Sequence, residues 1–271
     1  FAYYRYMSDH APNEFVIASA VRTGIVTQLA ERAAPIDELL AEVDASDSAV
    51  YDAVSTLADR GIVTEKSEGW DLSAHGQLVA DAIDQWQSTG AFLSADPAYW
   101  KNHDASGIPQ PFRRRLPEIG AYEIARSDES QITRHHQVAL RRMRDADHCL
   151  IISPFFSAEY QDAVPDSAET RLLINRSAVE TRAQRITDGL DAGKVLDHAE
   201  LRLTQSTCSY AVGEDFLVLN LPTQSGEPTN ATVVSETESA VRWGTDLFES
   251  MWAESDPIEP YAAREFPDIW G

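Results

Sequence analysis

The chain has 271 residues, 43% of them hydrophobic, which is enough for two compact domains with apolar cores. No apolar run approaches the roughly 20 residues that a membrane-spanning helix needs, and residues 1–7 are short and aromatic, without the features of a secretion signal. The sequence therefore predicts a cytoplasmic protein that does not contact a membrane. The two cysteines, Cys149 and Cys208, lie in apolar stretches, which predicts buried thiols rather than a disulfide or a metal site.

The formal net charge is −22, from 44 acidic and 22 basic residues, and only three of the basic residues are lysines. DNA-binding proteins are usually basic. A large acidic excess with few lysines resembles instead the proteins of salt-in halophilic archaea, whose acidic surfaces stay hydrated at molar salt. Because net charge bears on solubility and association rather than on fold, we interpret the acidity as an adaptation to a halophilic solvent.

Three helices are predicted near the N-terminus. Apolar residues recur four positions apart between residues 13 and 32, which indicates the first helix. Pro35 suits the first turn of a short second helix, because that position needs no amide donor. Ser46 follows a tight turn and can cap a third helix through its side chain, and Gly61 is placed to end that helix in a left-handed conformation. The buried face of the third helix is predicted to contain Val50, Ala53, Val54 and Leu57.

A β-hairpin is predicted next, because two β-prone segments, 62–64 and 70–72, flank a loop rich in turn-forming residues. Ser73 can then cap a further helix that extends through Ile83. Helix, short helix, turn, helix, hairpin and helix is the order of a winged helix-turn-helix. The second and third helices of such a unit support and read the DNA groove. We therefore assign residues 10–84 to a DNA-binding domain.

The remainder of the chain is predicted to be a connector, an α/β domain and a tail. Residues 85–130 lack a clean period and contain several glycines and prolines, which indicates a connector. Residues 131–255 begin with an arginine-rich helix and then alternate strand and helix signals, which predicts an α/β effector or dimerisation domain with a mixed, partly parallel sheet. Residues 256–271 are assigned to a C-terminal tail. The predicted strands of this domain are 149–152, 171–174, 207–212, 216–221 and 232–234.

Residues 33–61, with the hairpin behind them, resemble the winged helix of archaeal transcriptional regulators, and residues 44–51 are similar to the turn and the start of the recognition helix in that group. The stretch 102–109, the arginine-rich helix and the C-terminal α/β pattern resemble haloarchaeal members of the TrmB-like and methanogenesis-regulator families. The resemblance covers nearly the whole chain. It implies an α+β or α/β architecture, with a winged helix-turn-helix followed by an α/β domain that is distantly like phospholipase D.

The resemblance also implies that the recognition helix enters the major groove of double-stranded DNA and that the wing touches the backbone. The DNA-binding residues that it implies are Ser46, Ser48, Tyr51, Ser55 and, at the wing, Lys66. Asp47 and Asp52 depart from the pattern, because a groove-reading helix more often carries arginine or lysine there. Residues 10–84 also hold four basic residues against fourteen acidic ones. A winged helix used for protein pairing is therefore the alternative.

Four residues at the predicted carboxyl ends of strands are candidates for ligand binding: Ser153, Asn175, Arg176 and Ser235. Open α/β sheets bind ligands at these ends, where helix N-termini offer unpaired amides. Arg176 suits an anionic metabolite. The alternative is that the candidates only cap helices, since the segments 177–180 and 235–238 both read as capping boxes.

Eight arginines between residues 113 and 144 form the one basic region of the sequence, offset by four neighbouring acidic residues. They either hold phosphate or another anion or form a solvated face that pairs with the acidic neighbours. The arginines are Arg113, Arg114, Arg115, Arg126, Arg134, Arg141, Arg142 and Arg144.

Catalysis is not expected. Phospholipase D chemistry needs a histidine two residues before a lysine, and none of the seven histidines has that neighbour. The sequence also has no glycine-rich phosphate loop, no Gly-x-Ser-x-Gly elbow and no His/Cys metal spacing. We therefore predict a transcriptional regulator that needs no cofactor or metal and responds to a small-molecule effector. It is expected to be a homodimer, because groove readers are commonly two-fold dimers. The alternatives are a winged-helix interaction module and, after that, a phospholipase D-like hydrolase.

Overall fold

The computed structural model describes residues 11–127, 133–155, 158–189, 198–226 and 229–270. The chain divides into two compact units, the first ending at Ala91 and the second beginning at Phe92. Among the described residues, no helix combines the length and the apolar character needed to cross a membrane.

From residue 11 onward, the first unit contains four helices, a β-hairpin and most of a fifth helix. The order of these elements is that predicted from the sequence, except that the first predicted helix is two helices. Ser19 separates them, since its side chain accepts a hydrogen bond from the Arg22 amide and caps the second. The helices are α1 (Pro12–Ile17), α2 (Ala20–Glu31), α3 (Ile36–Glu42), α4 (Asp47–Asp59) and α5 (Ala74–Ala95), and the strands are β1 (Val63–Lys66) and β2 (Gly69–Leu72).

Helix α4 is held by one apolar face, and that face contains the four residues predicted for it. They pack into a single cluster with Ile25 and Leu29 of α2 and Leu39 of α3. Gly61 follows the C-cap residue Arg60 in a left-handed conformation, with a φ of 68°. The Gly61 amide donates to the Ala58 carbonyl and the Ile62 amide to that of Leu57, which is a Schellman arrangement.

Two serines were expected to cap helices of this unit, and only one does so. Ser73 accepts a hydrogen bond from the Gly76 amide at 2.9 Å and begins α5 as predicted. Ser46 occupies the N-cap position of α4, but its side chain makes no capping bond. Its Oγ lies instead 3.3 Å from the Ser48 Oγ. The prediction of a side-chain cap at Ser46 is therefore wrong, because the two hydroxyls interact with each other.

The second unit is built on an eight-stranded sheet, in the order β10-β6-β5-β4-β7-β8-β9-β3. Its strands are β3 (Glu123–Arg126), β4 (Leu150–Ser153), β5 (Arg171–Asn175), β6 (Glu200–Thr204), β7 (Ser209–Val212), β8 (Leu217–Asn220), β9 (Ala231–Ser235) and β10 (Asp256–Pro257). Strands β4, β5 and β6 are parallel, and all other pairs are antiparallel. The prediction of a mixed, partly parallel sheet is confirmed.

Helices cover both faces of this sheet. Their bounds are α6 (Pro97–Asn102), α7 (Gln110–Arg114), a 3₁₀ helix (Leu116–Ile119), α8 (Arg134–Asp145), α9 (Ala158–Ala163), α10 (Arg176–Thr187), α11 (Glu238–Ala253), α12 (Glu259–Glu265) and α13 (Pro267–Trp270). On one face, α11 buries Trp243 and Phe248 against the sheet together with residues of the segment 92–119. On the other face, α8 and α9 form one apolar cluster, and α10 and α12 form a second.

The connector and the tail contain regular structure. Residues 85–130 include the end of α5, three short helices and the edge strand β3, which pairs with β9. Residues 256–270 include β10, which pairs with β6, and two helices, and Ile258 and Ala262 of this segment are buried. These elements have no periodic signal because they are short and are stabilised by contacts with residues far away in the sequence.

The two capping boxes predicted for the second unit are displaced. Helix α11 is capped by Thr237, which accepts from the Ala240 amide at 3.0 Å, whereas Ser235 donates to the Ala121 carbonyl at 2.7 Å. Helix α10 begins at Arg176, so Ser177 lies inside it. The cap at Ser235 was a wrong prediction because strand β9 continues through that residue.

Cys149 and Cys208 are free and fully buried, as expected. Burial raises the pKa of both thiols, that of Cys149 to about 12. Both therefore stay protonated near neutral pH and pack as small apolar side chains.

Candidate nucleic-acid and ligand sites

The outward face of α4 carries the residues that were assigned to DNA. Ser48 and Ser55 are exposed, and Tyr51 has 52% of its surface exposed. The helical period places these three residues opposite the buried row that runs through Val50 and Leu57. Within the first unit, this face is therefore open to solvent and offers hydroxyl groups that can both donate and accept hydrogen bonds.

An acidic side chain shares that face. Asp52 is exposed and lies one helical turn after Ser48 and one turn before Ser55. Asp47 is also exposed, but it lies in the first turn, where a carboxylate interacts favourably with the helix dipole. Asp52 has no such explanation, and it stands in the middle of the row that would face DNA.

Basic side chains of the first unit interact with neighbouring groups of the same unit. Lys66, at the end of β1, places its Nζ 2.5 Å from Asp71 Oδ2 on β2, and this hydrogen bond lowers the pKa of Asp71. Arg32 forms an ion pair with Glu38. The guanidinium groups of Arg22 and Arg60 lie 4.0 and 3.8 Å from the centre of the Phe15 ring.

The four candidate ligand residues do not form one site. Ser153 and Asn175 end the neighbouring parallel strands β4 and β5. Ser235 lies at the opposite edge of the sheet, because β9 runs antiparallel to β4 and places Ser235 beside Leu217, at the start of β8. The carboxyl ends at which the candidates were predicted therefore lie on two opposite sides of the sheet, because β4 and β9 run in opposite directions and a sequence does not specify these directions.

Three of the four residues, Ser153, Arg176 and Ser235, line three different cavities. Arg176 lines a cavity of about 360 Å³ together with Glu254 and Asp256, and its guanidinium lies 5.2 Å from the centre of the Tyr261 ring. Two carboxylates beside one arginine disfavour an anion there. Ser235 borders a groove of about 940 Å³, and Ser153 lines a cavity of about 70 Å³.

The hydrogen bonds of Ser153 and Asn175 are made inside the protein. Ser153 Oγ donates to the Phe155 carbonyl at 2.8 Å, and Asn175 Nδ2 donates to the Ser206 carbonyl at 3.0 Å. Both bonds fix loops that follow the strands. Neither bond is a helix cap, which was the alternative role predicted for these residues, and Asn175 occupies the N-cap position of α10 without a side-chain capping bond.

Several members of the arginine-rich region form ion pairs. Arg115 pairs with Glu118 and Asp246, Arg126 with Asp96, and Arg142 with Glu236. Within the described part of the chain, no carboxylate pairs with the exposed Arg134, Arg141 or Arg144 of α8. Three of the eight arginines thus have the carboxylate partners that a solvated, paired face requires.

Helix α5 carries an exposed apolar row that was not predicted from the sequence. Leu78 has 71% of its surface exposed and Trp86 has 62%, and Ala82 lies between them on the same side of the helix. Gly90 continues the row, and a side chain added at that position would meet open space. The spacing of four residues was visible in the sequence, but it could not be distinguished from the spacing of a buried face.

Two family models match the chain. The first is described as the methanogenesis regulatory protein FilR1, middle domain, and matches residues 132–254. The second, the HVO_A0261 N-terminal domain, matches residues 10–91. The first match confirms the resemblance of the chain to the methanogenesis-regulator family. The particular relative is the methanogenesis regulatory protein FilR1 of Methanothrix harundinacea, which is 23% identical over 246 residues. These cover 86% of this chain and 54% of that protein, so the chain spans about half the length of its relative.

Solved structures give weaker similarities. TrmBL2, described as an archaeal chromatin protein with a novel mode of DNA binding, is 14% identical and has a TM-score of 0.37, covering 86% of this chain and 91% of its own. NucT from Helicobacter pylori is 8% identical with a TM-score of 0.36, covering 51% of this chain and 98% of its own.

Proposed function

We propose that the protein is a DNA-binding transcriptional regulator whose first unit is a winged helix-turn-helix. Helix α3 supports α4, α4 enters the major groove, and the β1–β2 hairpin is the wing. The main support for this proposal is the solvent-exposed face of α4, which presents Ser48, Tyr51 and Ser55. The opposite face of the helix is apolar and buried. The similarity of both units to regulatory proteins supports it.

Base contacts supply most of the affinity in this proposal. Attraction to phosphate depends on lysine and arginine, and Lys66 and Arg32 already pair with carboxylates of the same unit. We therefore expect the affinity for DNA to fall only weakly with salt. A titration of promoter fragments at low and at molar salt, followed by gel shift, tests the proposal. Failure of the intact protein to shift any genomic fragment at either salt would contradict it.

A protein-interaction module is the second candidate function, and the position of Asp52 favours it. A carboxylate in the middle of the outward row repels phosphate, but it suits a partner protein that presents a basic residue. The two candidates predict different results when this charge is removed: the regulator should bind DNA more tightly, whereas the interaction module should not.

We expect Asp52→Asn to strengthen binding to DNA by about threefold to tenfold at low salt, because the substitution removes one repulsive charge from the phosphate backbone. The matched control is Asp84→Asn, which removes the same charge from an exposed position on α5. Fluorescence anisotropy with a labelled promoter fragment measures both variants. Unchanged or weaker binding by Asp52→Asn would favour the interaction module.

A second copy of this chain is the partner proposed for the apolar row on α5. Groove-reading proteins are commonly two-fold dimers, and a row spaced by four residues can pack against the same row of an identical helix. Leu78, Ala82 and Trp86 present the apolar surface, and Gly90 leaves room for close approach. Homodimerisation would place two α4 helices on one DNA duplex.

We expect Trp86→Glu to convert the dimer into a monomer, because two carboxylates would face each other across an apolar contact. Affinity for a two-half-site operator should then fall by roughly 100-fold or more, since each protomer would bind alone. Sedimentation velocity measures the oligomeric state, and Gln87→Glu, at an exposed neighbouring position, is the control. A dimer of unchanged stability in Trp86→Glu would exclude α5 as the contact.

The second unit is proposed to sense a small molecule and to pass the signal to the DNA-binding unit. We assign no catalytic step to it. The arginine expected to hold an anion, Arg176, lies beside Glu254 and Asp256, so its cavity does not support an anionic effector.

A further inference from the structure

An apolar cavity lies between α9 and α10, on the face of the sheet that these helices cover. Its volume is about 70 Å³. The floor consists of strand residues, among them Ile151, Leu172 and Ile174, and Val179 of α10 and Ile258 form part of the wall. The cavity lies near the carboxyl ends of the parallel strands β4 and β5, the region of open α/β sheets where ligands bind.

The cavity lies where two hydrophobic clusters meet without filling the space between them. Ile151 and Leu172 belong to the cluster around α8 and α9, and Val179 and Ile258 belong to the cluster around α10 and α12. Ile174 packs against both. Protein interiors leave few voids larger than a water molecule, so an apolar space of this size is a candidate site for a ligand.

The chemistry of the lining excludes most polar ligands. Its polar side chains include Ser153, Gln161 and Arg182. Ser153 already donates to the Phe155 carbonyl, and Gln161 and Arg182 interact with other groups of the protein. A polar ligand would have to leave water for a predominantly apolar wall, which is unfavourable, whereas an apolar ligand gains from the same transfer.

The side chain of Phe155 would cover a ligand bound in this cavity. Its ring lines the cavity and yet has half of its surface exposed, and it lies edge-on to Tyr160 with 6.3 Å between the ring centres. A bound apolar molecule would give this ring a partner surface. The volume limits the size of that molecule, because one water needs roughly 10–15 Å³ by the same measure, so a cavity of about 70 Å³ holds about five to seven groups of that size.

We propose that this cavity binds a compact apolar molecule with the dimensions of a single aromatic ring or a short branched hydrocarbon. We assign this molecule as the effector of the regulator, and this assignment rests on the regulatory function proposed above. The site is distinct from the cavity of Arg176 and needs no charged group on the ligand.

Benzene and acetate are the probes that test the proposal on the full chain. Saturation-transfer NMR should show saturable binding of benzene and none of acetate, and benzene should raise the unfolding temperature because it binds only the folded state. Binding of acetate without benzene would overturn the proposal and indicate an anion site at Arg182. Absence of binding by both probes would also overturn it.

Variants locate the binding to this cavity. Ala178→Leu adds a side chain at a buried lining position and should weaken benzene binding at least tenfold, whereas Ser177→Leu adds the same group at the exposed neighbouring position and should leave it unchanged. Equal binding by both variants would overturn the assignment. If Ala178→Leu does not fold, Ile174→Val provides the test. This substitution enlarges the cavity, so the protein should bind toluene in preference to benzene. An unchanged binding preference would overturn the assignment.

Measurement of DNA binding separates this proposal from the one on which it rests. If benzene binds but the affinity for every promoter fragment is unchanged, the cavity is a binding site but its ligand is not an effector. If benzene does not bind but DNA binding is intact, the proposed ligand site is wrong and the proposed regulatory function stands.

Discussion

The double variant Ser48→Ala, Tyr51→Ala is expected to lose sequence-specific DNA binding while the protein stays folded. Both side chains lie on the outward face of α4, where they contribute nothing to the apolar cluster of the first unit. Contacts to base edges are each worth about 1–3 kcal/mol of discrimination. Removing two of them from each protomer should therefore weaken specific binding by roughly 100-fold or more.

Fluorescence anisotropy with an operator fragment and with a scrambled fragment measures this effect. Specific affinity should approach the affinity for the scrambled fragment, and thermal unfolding should be nearly unchanged, since exposed substitutions usually alter stability by less than about 0.5 kcal/mol. Gln77→Ala, on the exposed part of α5, is the control and should bind as the parent does. Retention of specific binding by the double variant would show that α4 does not read the bases.

The second large effect is expected from Trp243→Ala. Trp243 lies on α11, is fully buried against the sheet, and donates its Nε1 hydrogen to the Phe112 carbonyl at 3.2 Å. Truncation of a buried tryptophan typically costs about 3–5 kcal/mol, because the apolar contacts are lost and a cavity remains. The Phe112 carbonyl would also lose its partner. The loss is a large part of the roughly 5–15 kcal/mol that stabilises a typical domain.

Urea denaturation followed by circular dichroism measures this loss as a lower transition midpoint. Trp243→Phe serves as the comparison, because it keeps most of the apolar volume and removes the indole donor. It should cost less than the alanine variant, and the difference reports the contribution of packing. Equal midpoints for the parent and Trp243→Ala would mean that α11 does not stabilise the second unit as its burial indicates.

Most of the first unit could be predicted from the sequence. The positions of Val50, Ala53, Val54 and Leu57 specify the buried face of α4, and by exclusion they specify the outward face with Ser48 and Tyr51. Local features also located the left-handed end at Gly61 and the cap at Ser73. These features were predictable because a helical period and a capping bond involve residues only a few positions apart.

The positions of the candidate ligand residues were less predictable. Ser153, Asn175 and Ser235 all stand at ends of strands, but only the pairing of the strands decides which ends share an edge. The pairing of Lys66 with Asp71, and the carboxylates beside Arg176, likewise follow from the fold. The apolar cavity consists of strand and helix residues that are far apart in the sequence.

The sequence by itself determined the order of helices and hairpin in the first unit, the buried face of α4 and the acidic character of the chain. Tertiary structure alone decided the direction and order of the strands, the incorporation of β3 and β10 into the sheet, and the lining of each cavity. The physical reason is the range of the interactions. Helical periodicity and caps depend on neighbours within one or two turns, whereas strand pairing and cavity walls depend on contacts between residues tens of positions apart.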